Sequence, residues 1–158
     1  MVITGEGKFF SAGADINAFQ ESIEANEAPQ LIRDLTNILH PLLMRIRESS
    51  TIVVAAINGA AAGGGLGLAL ACDARIASPK AKLAASYASI GLSPDGGTTW
   101  LLPRLVGEQR SRQFFFENQI WNAEESANAG AIDEVVNEDE FINRSIEIAT
   151  NWSQWGNH

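Results

Sequence analysis

The chain has 158 residues with a formal charge of −8, of which 46% are hydrophobic and 19% charged. Such a composition fits one globular domain with its own core (residues 1–158) and excludes a disordered chain. It also argues against a nucleic-acid binder, which needs a concentrated basic surface.

Val2-Ile3-Thr4 reads as the end of a buried strand, with no basic flank or long apolar stretch to suggest a secretory leader. Phe10-Ser-Ala-Gly13-Ala14-Asp15-Ile16 reads as a turn, in which Gly13 permits an unusual backbone and Asp15 can cap a short helix. From Ala28 to Glu48, Leu31, Leu35, Ile38, Leu39, Leu42 and Ile46 recur at helical spacing. Pro29 suits the first turn of that helix and Pro41 is expected to kink it. His40, beside Pro41, has no matching ligand or nucleophile and reads as a surface or partly buried residue.

Thr51 to Ile57 is a β-branched run closed by Asn58-Gly59, hence a buried strand and turn. Thr51 to Cys72 holds no charged residue, but five glycines interrupt it, which speaks against a membrane span. Gly65 to Ala71 should be a small-residue helix packed on the strand, and Ala74 to Ala77 a further strand. Cys72 is the single cysteine and reads as a buried, inert thiol, which leaves no internal disulfide or cysteine-rich metal site. Residues 96–105, 108–116 and 123–129 look helical, Ile132 to Val136 returns to strand, and Asp139 to Trp155 forms a last amphipathic helix. Phe114-Phe-Phe116 reads as core or subunit contact, Arg75, Lys80 and Lys82 as a solvated face, and His158 as a disordered terminus. Strands alternating with helices indicate an α/β fold in a reducing, cytoplasmic setting.

The segment Asn58-Gly59-Ala-Ala-Ala-Gly63-Gly64-Gly65-Leu66-Gly67 carries the most chemistry. It joins a buried strand to a helix N-terminus, where free backbone N–H groups converge and glycines let a ligand oxygen approach. No Lys-Ser/Thr follows, so it is not a P-loop, and the third glycine of a dinucleotide fingerprint is missing. Spacing alone leaves tight helix packing and ligand binding equally open.

Taken in order, Lys8-Phe-Phe-Ser-Ala-Gly-Ala-Asp-Ile16, Ile57-Asn-Gly-Ala-Ala-Ala-Gly-Gly-Gly65 and Ala71-Cys-Asp-Ala-Arg-Ile-Ala77 resemble consecutive signatures of the crotonase (enoyl-CoA hydratase/isomerase) superfamily. The resemblance continues through Gly96-Gly-Thr98, Leu102-Pro-Arg-Leu-Val-Gly107 and Asn122-Ala-Glu-Glu125 to Ala129-Gly-Ala-Ile-Asp-Glu-Val-Val136. It implies a crotonase-like ββα spiral core and an acyl-CoA thioester as partner, with coenzyme A as part of the substrate and no covalently bound cofactor or metal. It also implies that the backbone N–H groups of Ala14 and Gly64 form an oxyanion hole for the thioester carbonyl. Ala12, Asp15, Ile16, Gly63, Gly65 and Tyr87 would line the substrate site.

Hydratases of that superfamily use two glutamates, whose positions fall at Gly67 and near Tyr87 here, so hydration is not expected. Asp95, in Ile90-Gly-Leu-Ser-Pro-Asp-Gly-Gly-Thr98, resembles the catalytic aspartate of isomerase branches, with ring-epoxide phenylacetyl-CoA isomerase-like proteins closest in motif. The competing reading of Asp95 is a helix N-cap after Ser93-Pro94. By the same resemblance, N-terminal strands and C-terminal helices of the full-length family are missing. The last helix's stripe of Phe141, Ile142, Ser145, Ile146, Ala149, Trp152 and Trp155 then needs a partner surface, which homo-oligomerisation as a trimer or dimer of trimers would supply. The expected function is double-bond isomerisation of an acyl-CoA by one carboxylate. The alternative is a non-catalytic module that binds acyl-CoA weakly or only self-assembles.

Overall fold

A computed structural model describes residues 1–155; His158 lies outside the described residues. Eight short strands form two four-stranded sheets. Sheet A holds β1 (Val2–Thr4), β3 (Val54–Ile57), β5 (Ala74–Ala77) and β8 (Glu134–Val135), all parallel. Sheet B holds β2 (Phe9–Ser11), β4 (Ala60–Ala62), β6 (Lys82–Ala84) and β7 (Ile120–Asn122), parallel except for the antiparallel β6–β7 pair. The chain places β1, β3 and β5 in sheet A and follows each directly with a strand of sheet B. This is the ββα spiral expected from the sequence.

The helices are α1 (Ile16–Glu24), α2 (Ala28–Glu48), α3 (Gly64–Ala71), α4 (Thr98–Val106), α5 (Glu108–Phe116), α6 (Ala123–Ala129) and α7 (Phe141–Ser153), with a 3₁₀ turn at Ala88–Ile90. Helix α2 runs unbroken through Pro41, because the buried Leu43 and Ile46 beyond it hold its last turns on the core. Among the described residues no helix is long and apolar enough to cross a membrane.

The strand run through β3 explains the core. Val53, Ala55 and Ile57 enter one cluster with α2, α3 and sheet B, while Ile52, Val54 and Ala56 face the other way, into a second cluster with Phe141, Ile148 and Ala149 of α7. Alternation along a fully buried strand thus builds both layers. Helix α7 therefore covers the outer face of sheet A, and its stripe needs no second subunit for Phe141, Ser145 and Ala149. Ile146, Trp152 and Trp155 remain exposed.

Strands β2, β4, β6 and β7 have no counterpart in the sequence reading. Each is three residues long, too short for a period to show, and the all-alanine β4 lacks β-propensity as well. Long-range pairing creates them.

Candidate active site

The first glycine motif leaves β2 at Ser11 and turns into α1. Gly13 takes φ 83°, a left-handed conformation that glycine adopts without strain. A Cβ at Gly13 would stand 3.0 Å from the Ala62 carbonyl oxygen and 3.2 Å from the Gly64 nitrogen. The turn of the first motif therefore lies against the start of the second. Asp15 accepts a hydrogen bond from the Asn17 N–H at 2.8 Å and caps α1, as expected. Ala12, Ala14, Asp15 and Ile16 are all exposed.

The second motif passes from β4 through Gly63 into α3. The Gly63 carbonyl accepts from the N–H groups of Leu66 and Gly67, at 3.0 and 3.2 Å. A Cβ at Gly65 would collide with the Ser11 carbonyl, so only glycine lets α3 pack directly on β2. At Gly64 a Cβ would meet Leu39 Cδ2 of α2 at 2.9 Å. Among the described residues neither the Ala14 nor the Gly64 N–H has an acceptor. Two open main-chain donors, one of them at a helix N-terminus, thus lie on two segments in contact. Such donors suit an oxygen that gains negative charge.

The loop before α4 packs on α3. A Cβ at Gly67 would stand 2.6 Å from the Gly96 carbonyl oxygen, so α3 and the loop touch backbone to backbone. Asp95 does not cap α4 with its side chain. The N-cap is Gly97, at φ 73°, and the Asp95 backbone carbonyl accepts both the Thr98 N–H (3.0 Å) and the Thr98 hydroxyl (2.7 Å). Buried Tyr87 donates its hydroxyl to the same carbonyl at 3.4 Å. Burial, with the nearby Asp95 charge adding to it, holds the Tyr87 phenol well above its ordinary pKa, so it stays a neutral donor. The main chain of Asp95 is pinned, and its carboxylate, 40% exposed, points instead toward His40: Nε2 lies 3.8 Å from Oδ2. Sequence reasoning gave His40 no partner. Only the packing of α2 on α3 and on the Gly96 loop brings residues 40 and 95 together.

The profile of the enoyl-CoA hydratase/isomerase family matches residues 1–158. The chain belongs to this family. It is 38% identical over 149 residues to the probable enoyl-CoA hydratase EchA14 of Mycobacterium tuberculosis, covering 94% of the chain and 56% of that protein. Against the 1,2-epoxyphenylacetyl-CoA isomerase of Escherichia coli the identity is 33% over 150 residues, covering 94% and 56%. The crystal structure of an enoyl-CoA hydratase from Bacillus anthracis superposes with a TM-score of 0.87 at 32% identity, covering 95% of this chain and 57% of the other. The chain spans about half the length of the curated relatives it matches. Members of the family are enzymes acting on CoA thioesters, and a dehalogenase of 4-chlorobenzoyl coenzyme A is also among the relatives.

Other conspicuous residues of this family member serve the fold. Arg75, expected on a solvated face, is buried: it donates to the Cys72 carbonyl and the Asp133 carboxylate, each at 2.9 Å. Sheet A puts Arg75 on the central strand β5, where its guanidinium must be paired. Lys80 forms a surface ion pair with Glu138 at 2.7 Å, and Lys82 is exposed. Phe114 is fully buried against Trp121, with ring centroids 4.4 Å apart. Two open surface hollows, one at Pro79–Lys80 and 137–140 and one around Arg110 and Trp121, include no residue of either glycine motif. Among the described residues no group of three or more His, Cys, Asp or Glu could hold a metal.

Proposed function

We propose that this chain stabilises the enolate of an acyl-CoA thioester and moves a double bond along the acyl chain. The Ala14 and Gly64 N–H groups hold the thioester oxygen, and Asp95 carries the proton. Its carboxylate takes a proton from C2 of a 3-enoyl-CoA, and the electron pair passes to the thioester oxygen as the enolate. The same carboxyl group then returns the proton at C4, and the double bond comes to rest between C2 and C3. Ala12, Asp15, Ile16 and Gly63 border the acyl group, Gly65 lets α3 pack on β2 behind it, and Tyr87 supports the Asp95 loop from below. The substrate brings its own coenzyme A and no other cofactor takes part.

The observation that carries this reading is the closed space at Gly67. Hydration by two glutamates would need one of them there, yet the Gly96 carbonyl occupies the place that any Cβ would take, at 2.6 Å. Asp95 stands one residue earlier in the same loop, and we assign the proton transfer to its carboxylate. The test is turnover of 3-enoyl-CoA substrates by the wild-type chain and by Asp95→Asn. Loss of a positioned general base lowers kcat by about 10²–10⁴-fold. Undiminished isomerisation by Asp95→Asn, or crotonyl-CoA hydration faster than isomerisation, overturns the assignment.

A second reading, a non-catalytic module that binds acyl-CoA weakly or only self-assembles, draws on the openness of the groove, where Asp95 is 40% exposed. Calorimetric titration with acyl-CoA separates the two, since binding followed by turnover rejects the module. We place the protein in the cytoplasm as a trimer or dimer of trimers. Exposed Ile16, Ile23, Ile38 and Trp100 support self-association. Sedimentation velocity tests it, and a monomer at high concentration rejects it.

A further inference from the structure

We propose that His40 is a positioning residue for Asp95, its ring N–H holding Oδ2 so that Oδ1 is left free for the substrate proton. The proposal rests on the reading of Asp95 as the proton carrier.

Three observations lead to it. First, the two side chains approach to 3.8 Å while standing 47% and 40% exposed. A half-exposed ion pair contributes little to stability, so the fold has small use for it. Second, the main chain of Asp95 is fixed by Thr98 and Tyr87, and the neutral Tyr87 hydroxyl also lies beside its carboxylate, on the side of the buried phenol. A carboxylate that must lift a proton from one carbon and return it at another loses rate when it is free to rotate. His40 is the group within ion-pair reach of it. Third, His40 follows Leu39, whose Cδ2 lies 2.9 Å from a Cβ built at Gly64 and 3.9 Å from one built at Gly96. Leu43, one turn on, reaches the same Gly96 position at 3.6 Å. The turn of α2 that carries His40 is thus packed on both the donor residue Gly64 and the loop of Asp95. Its height over the groove is set by the elements that make the groove.

A small rotation of either side chain closes the 3.8 Å gap to a hydrogen bond from Nε2–H to Oδ2. In the reaction His40 keeps its proton throughout. Oδ1 accepts the C2 proton, the enolate forms on the thioester oxygen, and Oδ1 returns the proton to C4. Nothing is consumed and the charge on the dyad is restored at the end.

The experiment compares His40→Leu, His40→Gln, Asp95→Asn and the double variant His40→Leu/Asp95→Asn in the 3-enoyl-CoA isomerisation assay. Leucine removes the donor and keeps the bulk, whereas glutamine restores an N–H at similar reach. We expect kcat to fall on the order of ten-fold in His40→Leu with KM nearly unchanged, to recover in His40→Gln, and to be no lower in the double variant than in Asp95→Asn alone. A wild-type kcat in His40→Leu, no recovery in His40→Gln, or additive losses in the double variant each overturn the role of His40. If Asp95→Asn is slow and His40→Leu is not, this proposal fails and the proposed function stands; if Asp95→Asn is fully active, that function fails and takes this proposal with it. A second measurement does not depend on turnover. Long-range 1H–15N spectra of the neutral imidazoles should give His40 a larger share of the Nε2–H tautomer than it has in Asp95→Ala, which leaves no acceptor. The sequence has 2 histidines, so the signal absent from His40→Leu assigns it. An identical share in both proteins rejects the hydrogen bond.

Discussion

A methyl group added at Gly67 would stand 2.6 Å from the Gly96 carbonyl oxygen, closer than side-chain carbons approach a backbone atom. Either α3 or the Asp95 loop must move to admit it. Gly67→Ala should therefore destabilise the protein by about 1–3 kcal/mol, the usual cost of overpacking, read as a lower denaturant midpoint with an unchanged slope. Gly67→Glu should be worse and should not create a hydratase, since the glutamate has no cavity to enter; crotonyl-CoA hydration by this variant would refute the closed-space reading. Cys72 gives the residue scale a pH-dependent test. Desolvation by burial, the largest influence, pushes its thiol from 9.0 up to about 12 against the smaller opposing pull of Arg75, and its Sγ–H donates to the Leu68 carbonyl at 3.3 Å. The unfolded chain ionises this thiol above pH 9.0 while the folded chain does not, so the unfolded state binds fewer protons between those values. Stability is then whole below pH 9 and declines toward pH 12, with Tyr87 acting in the same direction at higher pH. Cys72→Ala should flatten that decline in denaturation midpoints measured from pH 8 to 11, and an unaltered slope would exclude the thiol as its source.

Helix α7 tests the division between its buried and exposed faces. Phe141, 8% exposed, fills the cluster on the outer face of sheet A, and Phe141→Ala should cost about 3–5 kcal/mol. Ile146, 50% exposed, should change stability by about 0.5 kcal/mol or less when replaced by alanine in the monomer. Equal losses for both would mean that the stripe meets another surface. The same helix shows what the sequence could reveal. Its apolar period was legible, but the period cannot say whether the stripe docks on its own sheet or on a neighbour. Elements defined by local pattern (α2, α5, α6 and β5) have the bounds that spacing predicts. Sheet B was hidden because strands such as Ala60–Ala62 carry no alternation and exist only through their neighbours. The candidate site divides in the same way. Gly13, Gly64 and Asp95 were legible through motif order, whereas the approach of His40 to Asp95 depends on how a helix lies over a loop 55 residues further along, which no local pattern encodes.

Across the whole molecule, the two glycine motifs meet because the chain crosses from sheet A to sheet B twice at the same place. Asn58 links the crossings: its Oδ1 accepts from the Gly5 N–H at 3.0 Å, and its Nδ2 donates to the carbonyls of Gly7 and Phe9, each at 3.2 Å. Next to it, a Cβ at Gly59 would collide with the Lys8 carbonyl, so the second crossing runs tight against the first. The Asn58 carbonyl in turn accepts from Ser78 at 3.0 Å, which ties in the crossing after β5. These contacts set where β2 begins, and β2 delivers Gly13 to Gly64. Asn58→Ala removes the three side-chain hydrogen bonds, each worth about 1 kcal/mol, and partial exposure lets water replace some of them. We expect a stability loss of about 1–3 kcal/mol, with hydrogen exchange accelerated most in Phe9–Ser11. If the proposed isomerase reading holds, the same variant should lower kcat per folded molecule, because the proposed Ala14 donor rides on the segment that Asn58 holds. Phe141→Ala is the control. It weakens the opposite face of sheet A at least as much, yet touches neither crossing, so the fraction that remains folded should turn over at the wild-type rate. If the two variants lose activity only in proportion to the unfolded fraction, the crossings carry stability alone. A selective loss in Asn58→Ala would instead make the alignment of the two sheets a condition for the site.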